Sequence, residues 1–404
     1  MTATPAPTEE RRDAGTTRGT PGPTADATPT ADVTPTAARL ATLAVRDFRN
    51  LVAVDAPFPE DGVVVVGENG HGKSNLLEAI AYLRLLRSVR GARDRDLIRH
   101  GAPAFHVAAS CAGTAVRRVS VGVDRQGRKR VTLDGAETTR LTEALDALPS
   151  VTFSPRDVDL VAGGPGERRR YLDITLALSA PTYLEALRQY RGALARRNAA
   201  LREAVRRGAA AAGVAAWEPA LARYGGALVR ARRAWVDAAV DTFAAHCAAI
   251  GERGRPTLRY VGAAAEAEDP ETAIAEQLER QRETDVRRGL TQAGPHRDDL
   301  GMALDGHDLR TVGSAGQHRT AAIVLRLLEA ATHRDATGVT PVLLLDDPFA
   351  ELDRHRTGRI LALLAALGPG QHLVCVPRPD EVPAQYTRLA RWTIADGTLT
   401  ATAG

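Results

Sequence analysis

The 404 residues are enough to bury a large core, and their 44% hydrophobic content is ordinary for a globular chain. No apolar run is long enough to span a bilayer and no apolar leader core opens the chain, so a cytoplasmic protein with no membrane partner is expected. The formal charge of +4 suits nucleic acid without requiring it; Cys111, Cys247 and Cys375 are too scattered for a metal site and read as reduced, partly buried thiols.

Residues 1–38 are rich in Thr, Pro, Ala and Gly without apolar periodicity, which predicts a disordered tail. Order is expected from about Leu40, where Leu43, Val45 and Phe48 alternate as in a strand. Gly62–Val66 is an all-apolar run, the mark of a strand buried on both faces. Leu76, Leu77, Ile80 and Leu83 then recur at helical spacing. Segments 105–110, 116–123, 129–133 and 151–153 read as strands, with a hairpin turn at Asp124–Gly127.

Helical patterns dominate from Glu167 to Gly289. Leu184, Leu187, Tyr190, Leu194, Leu201 and Val205 share one stripe; Trp217, Leu221, Tyr224, Leu228 and Trp235 share another. A Gly/Ala-rich turn at 208–213 joins them into an α-hairpin. The α/β pattern returns with a helix at 314–331, a strand at 342–345, a helix at 353–367 and strands at 373–376 and 392–394. The expected architecture is an α/β head made by both ends of the chain, residues 39–165 and 291–404, with a helical lobe, 166–290, inserted between them.

Between the Gly62–Val66 strand and the next helix stands Gly67-Glu68-Asn69-Gly70-His71-Gly72-Lys73-Ser74-Asn75, a complete Walker A pattern. Its glycines let successive N–H groups turn toward an anion, and the helix N-terminus adds its positive end. Lys73 is assigned to the β- and γ-phosphates of ATP and the Ser74 hydroxyl to Mg²⁺. Of the 53 Lys and Arg residues only Lys73 and Lys129 are lysine, so the chain writes its rare compact ammonium at this loop. Asparagine is as rare, at positions 50, 69, 75 and 198, and two of the four lie in the loop.

Val342-Leu-Leu-Leu-Asp346-Asp347 reads as Walker B, a buried strand that delivers carboxylates at its C-terminal end. Asp346 is assigned to Mg²⁺ and Asp347 to the attacking water. Ala350–Asp353 follows in the position of an ABC-type D-loop. Ser314-Ala-Gly316-Gln317-His-Arg319 opens the helix before Walker B. Ser314 is first of all an N-cap. In ABC-type ATPases Ser-x-Gly-Gln docks on nucleotide held by the opposite protomer, so Ser314, Gly316 and Gln317 are candidates for the γ-phosphate of a partner's ATP.

Arginines crowd the two predicted helices, at 188, 191, 196, 197, 202, 206 and 207 on the first and 223, 230, 232 and 233 on the second. Arg196, Arg197, Arg206 and Arg207 are the candidate phosphate contacts of a DNA-facing surface, weighed against a merely solvated face in an Arg-biased chain.

Taken together, Phe48-Arg-Asn-Leu51, Gly67–Asn75, Phe153–Leu160, Gly166–Asp173, Gly294-Pro-His-Arg-Asp-Asp-Leu300, Ser314–Arg319 and Leu343–Asp353 resemble the RecF family of recombination mediators over about residues 40–380. Cys375–Pro379 departs from the family's Thr-rich turn, so no switch residue is assigned there. The resemblance implies a slow, DNA-stimulated ATPase that dimerises on ATP and on gapped or junction DNA, single- and double-stranded. It further implies work with RecR and RecO to load RecA at single-strand gaps, in repair and the SOS response. An SMC- or Rad50-like chromosome ATPase is the alternative, but those need long coiled-coil arms and this helix pair is short.

Overall fold

The computed structural model describes residues 36–207, 213–350 and 352–401. A six-stranded sheet holds the centre, in the order Thr398–Ala401, Ala390–Ala395, Gly62–Val66, His372–Val376, Val342–Asp346 and Ser150–Phe153. Its strands run parallel except for the edge strand Thr398–Ala401, which returns antiparallel to Ala390–Ala395. The two halves of the chain therefore interleave in one sheet, which is the α/β head expected from the sequence.

Each central strand is apolar on both sides because each faces a core. Val63, Val65, Leu344 and Leu373 point into one cluster with the Lys73–Leu85 helix and a second, antiparallel sheet. Val64, Leu343, Leu345 and Val374 point into another with the remaining helices. The antiparallel sheet orders its strands Leu51–Pro57, Arg39–Phe48, Ala104–Ala112, Arg118–Asp124, Lys129–Leu133 and Ala136–Thr138.

The long helices are Pro181–Arg207 and Glu218–Ile250, packed on each other and joined by Pro270–Arg288. Leu187, Tyr190, Leu201, Leu221 and Leu228 are buried as their stripes require, whereas Val205 is exposed near its helix end. The connecting turn, 208–212, lies outside the described residues, as does most of the predicted tail.

Two expectations need correction. Thr36–Ala37, assigned to the tail, forms a short strand beside Val339–Thr340, and Ala38 is fully buried. The segment expected to be mainly helical also contains the strand Pro256–Val261, which pairs with Asp299–Leu304 across the boundary expected near 290. Its alternation, with Leu258 and Tyr260 buried and Thr257 and Arg259 exposed, is that of a half-buried strand.

This small sheet explains two strings that the sequence left without a physical role. Arg168 grips Asp299 through two hydrogen bonds of 2.7 and 2.8 Å, and Arg169 donates to the Asp298 carbonyl at 2.7 Å. Asp173 accepts from the buried Arg232 at 2.7 Å, and Arg232 also donates to the Pro295 carbonyl at 2.8 Å. The 166–173 and 294–300 strings are thus two halves of one joint. Gly294 has φ +119° and packs so closely on the Tyr190 hydroxyl that a Cβ would collide with it.

His372 sits on the strand between the two functional strands and hydrogen-bonds with the Tyr386 hydroxyl at 3.0 Å. Burial lowers its pKa to about 4. The folded state then binds fewer protons there than the unfolded state below the usual histidine value. The stability this residue contributes is present above pH ~6.5 and is lost as pH falls toward its folded value. Urea unfolding at pH 7 and pH 5 should show a smaller loss for His372→Gln than for the wild type. Equal losses would exclude His372 as a source of the acid sensitivity.

Candidate nucleotide site

The phosphate loop leaves the Gly62–Val66 strand and curls into the Lys73–Leu85 helix. Gly70 and Gly72 take φ of +88° and +113°, a region side chains rarely enter. Gly67 has a different reason: a Cβ there would strike the Ile394 carbonyl of the neighbouring strand. Lys73 is buried and its Nζ donates to the carbonyls of Gly67 at 2.5 Å and Glu68 at 3.0 Å, inside the curl of the loop.

A cavity of about 330 Å³ lies over the loop. Asn69, Gly70, Gly72, Lys73, Ser74 and Asn75 form one wall, and Asp346, Asp347, Arg90 and Pro155 the other. The Walker B strand thus brings its carboxylates across from the loop, as the sequence led us to expect. Burial pushes the Asp346 carboxyl above its usual range, and the nearby Asp347 charge adds to this. The Ser74 hydroxyl and Arg90 and Lys73 charges act the other way. A half-buried carboxylate hydrogen-bonded to a hydroxyl, beside a second carboxylate, is a hard-oxygen set. That chemistry fits a divalent cation such as Mg²⁺.

Asp347 has φ +43°, a left-handed conformation that Asp tolerates better than most residues. Its N–H donates to the Cys375 carbonyl at 3.0 Å, and its own carbonyl accepts from Arg319 at 3.2 Å. Arg319 also donates to the Pro348 carbonyl, so the helix that follows Ser314 holds the turn after Asp347. Cys375, at the departure from the family pattern, is fully buried beside the Lys73 carbonyl, and burial raises its thiol pKa. All three cysteines are unbonded and buried.

Several buttresses of the loop escaped the sequence reading. Asn50 accepts from Asn75 at 2.9 Å, so three of the four asparagines gather at the loop. Gly397, in the C-terminal hairpin, donates to the His71 carbonyl at 2.9 Å. Arg90 donates to Asn75 at 2.9 Å and faces the cavity. Asn50 stands in the Phe48–Leu51 string and the scarcity of asparagine was a further clue, but no local pattern gives Arg90 or Gly397 this role; only long-range packing assembles them.

Ser314 caps the Ala315–Thr337 helix in a capping box: its hydroxyl accepts from the Gln317 N–H at 3.3 Å, while the Gln317 side chain accepts from the Ser314 N–H at 2.8 Å. Gln317 also donates to Glu252 at 3.2 Å. Ser314 is exposed, and neither it nor Gly316 or Gln317 lines the cavity of its own chain. Of the D-loop, Glu351 lies outside the described residues, and Asp353 caps the Arg354–Ala366 helix.

The RecF/RecN/SMC N-terminal domain model matches residues 39–397. A DNA replication and repair protein RecF from Anaeromyxobacter sp. (strain Fw109-5) is 39% identical over 371 residues, covering 89% of this chain and 98% of the relative. The chain belongs to the RecF family. A RecF of Salinibacter ruber is 36% identical, covering 84% of this chain and 85% of its own. In three dimensions the chain is similar to the recombination mediator protein RecF with ATP, at 28% identity and TM-score 0.83, with 91% and 99% of the two chains covered. An SMC head from Pyrococcus furiosus shares the fold at 19% identity and TM-score 0.54.

The arginines expected to face DNA fare unevenly in this RecF-family fold. Arg197 is fully buried, donating to Asp285 at 2.7 Å, Thr291 at 2.9 Å and Glu218 at 3.0 Å, and cannot meet a DNA phosphate. It lies on the inner face because its helix is wrapped by two others, each supplying an acid. Arg206 is exposed but ion-paired with Glu203. Arg196 stacks over Trp217 at 5.3 Å. The Arg207 side chain lies outside the described residues.

Two outcomes follow from this geometry. Lys73→Arg keeps the charge but replaces a compact ammonium with a planar fork in a buried curl; ATP hydrolysis should fall roughly 10²–10³-fold, the scale of losing one positioned donor. Normal turnover would remove Lys73 from the phosphates. Arg197→Met should cost on the order of 3–5 kcal/mol in urea unfolding, because it strands Asp285 in the interior. An unchanged midpoint would contradict the buried assignment.

Proposed function

We propose that the chain is an ATP-switched DNA-binding protein of recombinational repair. The observation that carries the reading is the facing pair of the phosphate loop and the Asp346–Asp347 strand end across one cavity. The ATP held by the similar RecF structure supports it. Ser74 and Asp346 would hold Mg²⁺, which neutralises charge on the β- and γ-phosphates when bound. Lys73 supplies the fixed cation to the same oxygens. Asp347 orients and deprotonates the attacking water.

The exposed Ser314 cap completes the site of a second copy rather than its own. Its hydroxyl, Gly316 and Gln317 present a helix N-terminus to the partner's γ-phosphate. Two ATP molecules are then sandwiched in a head-to-tail dimer, and hydrolysis releases it. On gapped or junction DNA this dimer acts with RecR and RecO to help load RecA, as part of the response to DNA damage in the cytoplasm. The chromosome-organising alternative asks for longer arms than helices of 27 and 33 residues provide.

Asp347→Asn should bind ATP yet hydrolyse it slowly, and so run as a stable dimer in gel filtration with ATP. A monomer with ATP present, in this variant and in the wild type, would remove the trans-acting role of Ser314.

A further inference from the structure

Most arginines on the two long helices are already engaged. Arg188 pairs with Glu185 and Arg230 with Asp269, while Arg233 donates to the Ala265 and Ala267 carbonyls. A further group of arginines lies where the loop after the phosphate helix meets the start of the helical region.

Leu86 caps the phosphate helix with φ +52° and turns the chain outward. Arg87 follows, exposed, and forms no hydrogen bond or ion pair with any described residue. Arg170 reaches across from the Pro165–Ser179 helix and donates to the Ser88 carbonyl at 2.7 Å. Arg191, about half exposed on the next helix, donates to Asp173 at 2.7 Å. Asp173 is already held by the buried Arg232 and the Tyr183 hydroxyl at 2.7 Å each. Three guanidiniums from three elements are thus brought together: Arg170 lies against the backbone of the residue after Arg87, and Arg191 on a carboxylate already engaged. Partial burial first, then the fields of Arg170 and Arg191, lower the Arg87 pKa, and the Asp173 charge acts the other way without offsetting them. Such like-charge crowding costs free energy that an anion would recover.

We propose that Arg87, Arg170 and Arg191 form a landing site for the phosphate backbone of duplex DNA, on the loop that carries Arg90 to the nucleotide cavity. This rests on the DNA-binding reading above and gives it a place on the molecule. The nearby tyrosines 171, 183 and 190 are buried, so no ring is offered for base stacking. Guanidinium contact without stacking suits a duplex backbone read without regard to sequence. The same loop meets DNA through Arg87 and the nucleotide cavity through Arg90.

The test is fluorescence anisotropy of the full chain with ATP and a labelled duplex, over a range of salt. Arg87→Gln/Arg191→Gln should weaken binding and lower the slope of log affinity against log salt by roughly 1.8 per protomer, two phosphates at about 0.9 each. The Lys pair at the same positions should restore most of that slope. Arg196→Gln is the comparison: it lies on the same helix as Arg191, about 140° around it at 100° per residue, and should leave the slope unchanged. ATP hydrolysis without DNA should be the same in all variants. A wild-type slope in the Gln pair, or a loss confined to Arg196→Gln, overturns the site. No duplex binding by the wild type would instead overturn the DNA reading itself.

Discussion

The constraint on which the rest of the structure depends is the burial of the central parallel sheet on both faces. Val63, Val65, Val342, Leu344, Leu373 and Cys375 fill one core, and Val64, Leu343, Leu345, Val374 and Val376 the other. Each such side chain contributes about 1.5–3 kcal/mol by leaving water. A strand so placed has no room for a polar group along its length, so function is confined to strand ends. The phosphate loop, Asp346 and Ser154 all stand at the same, C-terminal end. Apolar faces alone would tolerate a shift in register; the ends do not, because a slip of one residue would carry Asp346, the last residue of its strand, away from its place opposite the phosphate loop.

Around that sheet the elements that carry the nucleotide site are held together by buried charge. Arg84, at the end of the phosphate helix, donates to Glu329 at 2.7 Å and to the Ser150 carbonyl at 2.5 Å. Glu329 lies on the helix that Ser314 caps, where Arg326 bridges it to Asp157 at 2.7 Å on each side. Burial works against the Glu329 charge, yet Arg326 and Arg84 hold its carboxyl below the usual range. Buried ion pairs add little net stability over an apolar substitute, but they punish misalignment severely. Their effect here is positional: the phosphate helix, the Ala315–Thr337 helix and the edge strand keep one arrangement.

How much of this the sequence disclosed follows from the range of each interaction. The phosphate loop and Walker B were legible because their chemistry needs fixed residues at fixed spacing beside an apolar run. The stripes of the long helices were legible from periodicity. The Pro256–Val261 strand was lost because helical patterns surround it and its partner lies some forty residues away. The fate of individual arginines was not legible at all. Arg196 and Arg197 are neighbours in sequence, yet one lies over an indole at the surface and the other is fully enclosed by acids from two other helices. Counting charges on a helix cannot tell these apart, since burial is decided by what packs against each face.

The two lysines make the same point in reverse. In a chain that writes arginine almost everywhere, both lysines attend one helix. Lys73 begins it, with its ammonium inside the loop curl. Lys129 closes it: its Nζ donates to the Leu86 carbonyl at 2.5 Å at the helix C-terminus, pairs with Asp94 at 2.7 Å and lies 5.3 Å from the centre of the Tyr82 ring. A cation at that end also complements the helix dipole, as the phosphate loop complements an anion at the other. Both positions are narrow, bounded by backbone carbonyls, and suit a compact group with three freely directed donors better than a planar fork. The compositional oddity visible in the bare sequence is therefore a marker of geometry at both ends of the helix on which nucleotide binding turns.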